Sequence, residues 1–304
     1  MTSDPHADDP GDGSARGGQA PGRAGERFDP TNLRFVSLAW DPELTEVATA
    51  IERDLPPFLA ELTRAHRDRA TEHYATTSWV VLEADIPVGV VRAVPWSWSG
   101  AAADAPAGGV GEVAAGLDEL APGDADTLAV LDVVVAYGAR GRGIGRAVLE
   151  GLDRLRVEQG SDRLLVLLRP HTKHDYPLVP FQRYASFVRD DGAPFDPWFR
   201  AAWQTGLVPV AAAERSLSAR APFDSWQRWL GVEVPGSGPY LVDGAIKPAI
   251  LETELDEGRY REPHLWAGSG AGVPVAGDRS WLEALEAAGV VAGDRQHREV
   301  KRRR

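Results

Sequence analysis

The apolar positions of this chain fall into short continuous runs and into helically spaced sets, and their alternation lays out a series of strands and helices. Asn32–Trp40, Thr77–Glu83 and Val88–Trp98 are apolar runs that predict strands. The last two are joined by Ala84-Asp85-Ile86-Pro87, which reads as a hairpin. Between the first two, Pro42–Arg53 and Pro57–Tyr74 read as helices, the former capped by Asp41 with proline at its first position. Thr127–Val135 is apolar except for Asp132 and predicts a fourth, buried strand. Ile144, Val148, Leu152 and Leu155 then follow at intervals of four, four and three, giving a helix one buried face. Gly160 closes that helix, and Arg163–Leu168 predicts another buried strand. Strand, loop, helix and strand in this order imply a right-handed parallel crossover.

The remainder is less regular. Ala101–Asp126, rich in Ala, Gly and Asp and without aromatics, is expected to be an exposed insertion. Pro170–Pro194 delays the next helix, expected over Asp196–Gly206 with Asp196 as its cap and Pro197 in first position. Leu207–Leu217 predicts a sixth strand and Pro222–Leu230 a short amphipathic helix, and extended segments between Tyr240 and Trp266 are expected to pack back on the core. The expected organisation is therefore a disordered tail over 1–30, a main domain over 31–217 with insertions at 99–126 and 170–195, an extension over 218–268 and a flexible tail over 269–304.

One segment concentrates the chemistry: Val133-Val134-Val135-Ala136-Tyr137-Gly138-Ala139-Arg140-Gly141-Arg142-Gly143-Ile144-Gly145-Arg146. Glycines let a backbone approach a ligand closely, and the unpaired amides of a helix's first turn attract anions. Three arginines and no acid lie between Tyr137 and Arg146, in a chain with 33 basic and 45 acidic residues and a net charge of −12. A phosphate-bearing ligand fits; so does a tight strand-to-helix connection whose arginines are merely solvated. A nucleotide P-loop is excluded, because no Lys-Ser or Lys-Thr follows the glycines, and the dinucleotide fingerprint fails on the position of its third glycine.

The acidic balance argues against general nucleic-acid binding. Zero cysteines exclude disulfides, thiol catalysis and cysteine-ligated metals. No apolar run reaches the roughly 18 residues of a membrane span, and the N-terminal stretch lacks a signal pattern, so a cytoplasmic protein with no nucleic-acid or membrane partner is expected.

What the turn does satisfy is [Gln/Arg]-x-x-Gly-x-[Gly/Ala], through Arg140, Gly143 and Gly145 at the end of a strand. This resembles the acetyl-CoA pyrophosphate loop of the GNAT N-acetyltransferase superfamily, over about Asn32–Leu217 and most strongly over Leu131–Arg169. The Lys173–Leu178 and Pro194–Arg200 runs are similar to those of extended actinobacterial members. The resemblance implies an α/β fold with a mixed central sheet, fourth and fifth strands splayed apart, and helices on its flanks. By position, the backbone of Val133, Val134 and Val135 would hold the pantetheine arm. Amides of Gly141, Arg142, Gly143, Ile144, Gly145 and Arg146 would bind the pyrophosphate, with side-chain charge from Arg140 and Arg146.

The reaction implied is transfer of an acyl group, usually acetyl from acetyl-CoA, to a primary amine of a small molecule, without a metal. A base must free the amine, an amide of the fourth strand would hold the oxyanion, and a tyrosine commonly protonates the departing thiolate. Asp132 is expected to be the base or the substrate anchor; the alternative is a carboxylate satisfied by neighbouring backbone or an arginine. The family's tyrosine position falls on Ala202, so Tyr176 and Tyr184 in the polar insertion are the substitute acids. His171 and His174 have a spacing that zinc ligands use, but no further ligand set accompanies them. The ten tryptophans suit either an acceptor pocket or the packing of the extension. A non-catalytic acyl-CoA-binding module and a protein or peptide acetyltransferase remain alternatives; the protein is expected to be a monomer or homodimer.

Overall fold

The structure, a computed structural model, describes residues 32–119, 125–277 and 279–292. The expected disordered segment 1–30 and the end of the expected C-terminal tail lie outside these residues. Among the described residues nine strands form one mixed sheet: β1 (Leu33–Ser37), β2 (Ser78–Glu83), β3 (Ile86–Trp96), β4 (Thr127–Val135), β5 (Arg163–Leu168), β6 (Val208–Ala221), β7 (Gly238–Tyr240), β8 (Ala249–Glu252) and β9 (Glu257–Gly270). Their order is β1-β2-β3-β4-β5-β9-β8-β7, and β6 lies along the other edge of β9. The helices are α1 (Leu44–Glu52), α2 (Pro57–His73), α3 (Gly109–Gly116), α4 (Ile144–Glu158), α5 (Phe181–Ala185), α6 (Pro197–Gln204), α7 (Phe223–Leu230) and α8 (Trp281–Ala287).

Local chemistry accounts for much of this. The β2–β3 hairpin turns on Ala84 and Asp85, whose φ of 46° and 67° match the twist of a two-residue turn. Ile144, Val148 and Leu152 are buried on α4 and pack with β4, β5 and α6 in one core. Asp196 caps α6 as expected, accepting from the amides of Trp198 (2.9 Å) and Phe199 (3.2 Å) with Pro197 in the first turn. Gly206 ends that helix at φ 91°. A second core on the opposite face of the sheet gathers α3, Trp98, Leu165, Val208 and Trp266. None of the helices among the described residues is long and apolar enough to cross a membrane.

Several expectations are corrected. The first strand stops at Ser37, leaving Trp40 exposed, because the chain turns there: the Trp40 and Asp41 amides bond back to the Ser37 carbonyl. Asp41 does not cap α1, which starts three residues later with no side-chain cap. Ala101–Asp126 is not simply an exposed loop; Val110 and Val113 bury the face of α3 against β6, and Leu117 just after it is buried too. The tail after 268 carries α8, anchored by Trp281 and opened by a Ser280–Glu283 capping box. Most important, β9 does not pack onto the core from outside. It enters the sheet between β5 and β6, so the extension and the main domain share one sheet.

Candidate functional site

β4 and β5 pair in parallel from Thr127 opposite Arg163 to Val130 opposite Val166, and then part. The parting coincides with a bulge. Across from β3, Arg92 faces Asp132 while Ala93 faces Val130, so Leu131 is an extra residue that bends β4. From Asp132 to Val135 the strand has β3 on one side and open space on the other. β9 contributes to the same opening: Arg259 pairs with β8 and Leu265 with β5, and the residues between them have no strand on that edge. The result is a cleft of about 820 Å³, within the range of small-molecule sites, running from the glycine turn past Asp132 to α2 and β9.

At one end sits the turn that the sequence singled out. Gly141 and Gly143 have φ of 75° and 88°, a left-handed conformation that strains any residue with a Cβ. Gly143 caps α4, so the amides of Ile144, Gly145 and Arg146 lack helical acceptors and the helix dipole adds positive potential. Gly145 is required sterically: a Cβ there would lie 2.9 Å from the Trp198 ring. Of the arginines, Arg142 bonds both carboxylate oxygens of Glu83 (2.8 and 2.9 Å), and Arg146 pairs with Glu150 (2.9 Å). Arg140 stacks over Tyr137 and donates to the Val135 carbonyl at 3.0 Å. Val133, Val134 and Val135 line the cleft together with Arg140, Gly141, Gly143, Ile144, Gly145 and Arg146, whereas Arg142 does not line it.

No family model matches the chain. Among curated proteins it is 29% identical over 157 residues to an arginine N-acetyltransferase, avaD, of Aspergillus versicolor; the match covers 46% of this chain and 54% of the relative. The chain thus spans about half the length of that relative. Similar solved structures include a GphF GNAT-like decarboxylase in complex with isobutyryl-CoA (18% identity, 59% of this chain and 87% of that one, TM-score 0.45). Another is the loading GNATL domain of CurA from Lyngbya majuscula (15% identity, 60% and 86%, TM-score 0.44).

Further into the cleft, Asp132 is no isolated carboxylate. Arg67 on α2 donates from Nε to its Oδ2 at 2.7 Å, Arg92 approaches the same oxygen at 3.9 Å, and Glu52 pairs with Arg92. Two arginines and two carboxylates thus form a neutral cluster, and the arginine-satisfied alternative describes Asp132. Burial by itself would lower the pKa of Arg67; Asp132 and Glu52 outweigh it, and the guanidinium is held above its ordinary value. Asp132 keeps an exposed portion, 27% of its side chain, on the cleft wall.

The expected tyrosine acids are not brought into the site. Tyr184 is buried among the rings of Tyr176, Phe187 and Phe195, and its hydroxyl donates to Asp196 at 2.8 Å. Burial first, and then the Asp196 charge, push its pKa far above the ordinary phenol value, the opposite of what a proton donor needs. Tyr176 is partly exposed beside it, and neither lines the cleft. Ala202, at the usual tyrosine position, is buried. The insertion instead presents His171 and His174 to the cleft; His174 Nδ1 lies 3.0 Å from the His171 carbonyl. Desolvation lowers the pKa of His171, with the nearby Arg140 adding to the effect against Asp196. Among the described residues no group of three or more His, Asp or Glu side chains is arranged to hold a metal. Of the tryptophans, Trp198 lines the cleft, whereas Trp98, Trp226, Trp266 and Trp281 are packed in cores.

Sequence reasoning missed the polar network at the far end. Glu262, fully buried on β9, accepts from Arg169 Nε (2.7 Å) and Nη2 (3.0 Å) and from the Tyr260 hydroxyl. His264 Nε2 lies 2.8 Å from Glu262 Oε1, and its Nδ1 lies 2.9 Å from the hydroxyl of Ser216 on β6. The signal was present as the alternation Tyr260, Glu262, His264, Trp266, which puts these side chains on one face of the strand.

Proposed function

We propose that this protein is an acyl-CoA-dependent N-acyltransferase that moves acetyl from acetyl-CoA to the primary amine of a small molecule. The observation that carries the reading is the continuity of one cleft from the left-handed glycine turn, along the unpaired edge of β4, to a polar end on the far side of Asp132. In this reading the amides of Gly141–Arg146 grip the pyrophosphate, with Arg140 beside it. The pantetheine arm lies along Val133–Val135 as though it were the missing strand. An amide of β4 beside the thioester stabilises the oxyanion. Asp132 anchors the acceptor where the two halves of the cleft meet, and solvent at the open mouth protonates the departing thiolate.

The acceptor is entered from the α2–β9 side. The name of the curated relative makes L-arginine the first acceptor to try. The acidic balance of the chain and an acyl-CoA donor fit a cytoplasmic enzyme, a monomer or homodimer, with no nucleic-acid or membrane partner. The test is release of free CoA from acetyl-CoA in the presence of L-arginine and a panel of other primary amines, with donor binding followed by calorimetry. Donor binding and amine-dependent CoA release support the reading. Donor binding without release for any amine would favour a non-catalytic acyl-CoA-binding module, and absence of donor binding would sink both.

A further inference from the structure

α2 turns one face to the cleft, and His66 stands on it beside Arg67. Leu62 and Ala70, one turn before and one turn after, share the face of His66 and pack in the core that holds Val110, Leu131 and Leu217. The imidazole is thereby directed at the acceptor end, over the bulged Leu131 where β4 and β5 begin to part. The base for an ammonium needs a lone pair that is uncommitted and open to the ligand. Among the described residues, the other candidates in this cleft are spent or lie elsewhere. Asp132 is committed to its cluster with Arg67 and Arg92. His264 is held at Nε2 by Glu262 (2.8 Å) and at Nδ1 by Ser216 (2.9 Å). His171 and His174 stand at the donor end, where His171 feels the charge of Arg140. Asp243 lies on the exposed rim before β8. Half-buried His66 lines the cleft with neither ring nitrogen bonded to the described protein. Burial first, and then Arg67, lower its pKa, so the ring is neutral at pH 7 and keeps a lone pair.

We propose that His66 is the base of the transfer, taking a proton from the ammonium group of the bound acceptor while Asp132 remains its anchor. This rests on the N-acyltransferase reading above. One proton passes from the ammonium to the unprotonated ring nitrogen of His66, and the imidazolium returns it to solvent through the open cleft. The freed amine attacks the thioester carbonyl and the C–N bond forms. As the tetrahedral adduct collapses, the C–S bond breaks, the nitrogen gives its second proton to solvent, and solvent protonates the departing thiolate. The charged and titratable groups that face His66 are Arg67 on α2, Arg92 on β3, Asp132 on β4, Arg169 after β5, Asp243 before β8 and His264 on β9. α3 and β6, which also pack on α2, turn only Val110 and Leu217 to the cleft.

The full-length protein is assayed for CoA release from acetyl-CoA with L-arginine and a panel of primary amines of differing pKa, between about pH 5 and 9, alongside calorimetric binding of acetyl-CoA. For the wild type, kcat/KM is expected to rise with pH through one ionisation below the ordinary histidine value of 6.5, at the same position for every accepted amine. His66→Gln is expected to lower kcat at least about tenfold and up to about 10⁴-fold, and to abolish that limb, with the Kd for acetyl-CoA unchanged within about twofold. A smaller loss, or a limb that persists in the variant, overturns the assignment. So does a wild-type limb whose midpoint follows the pKa of the acceptor, a measurement that needs no variant and decides the matter if His66→Gln does not fold. A wild-type protein that binds acetyl-CoA but acylates no amine removes the acyltransferase reading itself, and this inference with it.

Discussion

Arg67 and Asp132 offer a quantitative test of how the cleft wall is built. At the 2.7 Å separation of Arg67 Nε from Asp132 Oδ2, the gross Coulomb attraction is about 6 kcal/mol for an effective dielectric constant near 20. Desolvation of both groups offsets most of this, leaving about 1.5–3 kcal/mol for a charge-assisted hydrogen bond. Arg67→Met removes that bond and also leaves Glu52 and Asp132 sharing Arg92 alone, in a setting where Glu52 is only 14% exposed. Breaking a fully buried pair costs about 3–5 kcal/mol. Because Asp132 reaches solvent, we expect about 2–4 kcal/mol here, a fall in Tm of about 4–16 °C. Asp132→Asn should cost less, and the double variant should fall short of the sum of the single effects by about 1–3 kcal/mol. Urea unfolding followed by tryptophan fluorescence gives all four values, with acetyl-CoA binding as the control for local integrity. Additivity within about 0.5 kcal/mol would refute the pairing and return Asp132 to the status of an isolated cleft carboxylate.

Three further outcomes follow from the same contacts. Trp281→Ala deletes an indole packed on Phe199 and Trp203 whose N–H donates to the Ala185 carbonyl at 2.8 Å; it should cost about 3–5 kcal/mol and lower Tm by about 6–20 °C, whereas an unanchored tail would show no change in calorimetry. Asp196→Ala removes the cap of α6 and the acceptor for the Thr172 amide and Tyr184 hydroxyl, so a loss of about 2–4 kcal/mol is expected in urea titrations, with little change if the cap is dispensable. Burial would raise the pKa of Glu262, but Arg169 and His264 overcome it and hold the carboxyl well below the usual carboxylate range. Its folded pKa is therefore depressed, so its stabilisation is complete above the unfolded value of about 4.3 and is lost as pH falls below it. Glu262→Gln should be less stable at pH 7 and have a flatter profile between pH 4 and 2.5, and a slope identical to the wild type would contradict this.

The part of the fold legible in the sequence is the part governed by local rules. β4, the glycine turn, α4 and β5 are continuous in sequence and declare themselves by apolar runs, left-handed glycines and a regular helical stripe. The cap at Asp196 and the stop at Gly206 are local too, and both appear as expected. What stayed hidden depends on partners distant in sequence. Nothing near β9 says that it will lie between β5 and β6, because that position is set by which edges remain open after the rest has folded. Arg67 could not be matched to Asp132 across 65 residues. α3 was obscured by its Ala and Gly content, and its burial follows from β6 being bulged beneath it. The tyrosine expectation went astray for a related reason: Tyr184 is polar in the sequence, yet Asp196 and three aromatic rings claim it for the core.

The proposed function requires the turn at Gly141–Arg146 to hold a diphosphate. Calorimetric titration of acetyl-CoA into the wild type and into Gly143→Val, a variant that forces a β-branched side chain into a left-handed position at the cap of α4, addresses this directly. Saturable binding by the wild type and at least about a tenfold weaker Kd in a folded variant are expected, equivalent to about 1.4 kcal/mol or more. Equal affinities in the two proteins would detach the turn from the ligand and contradict the account.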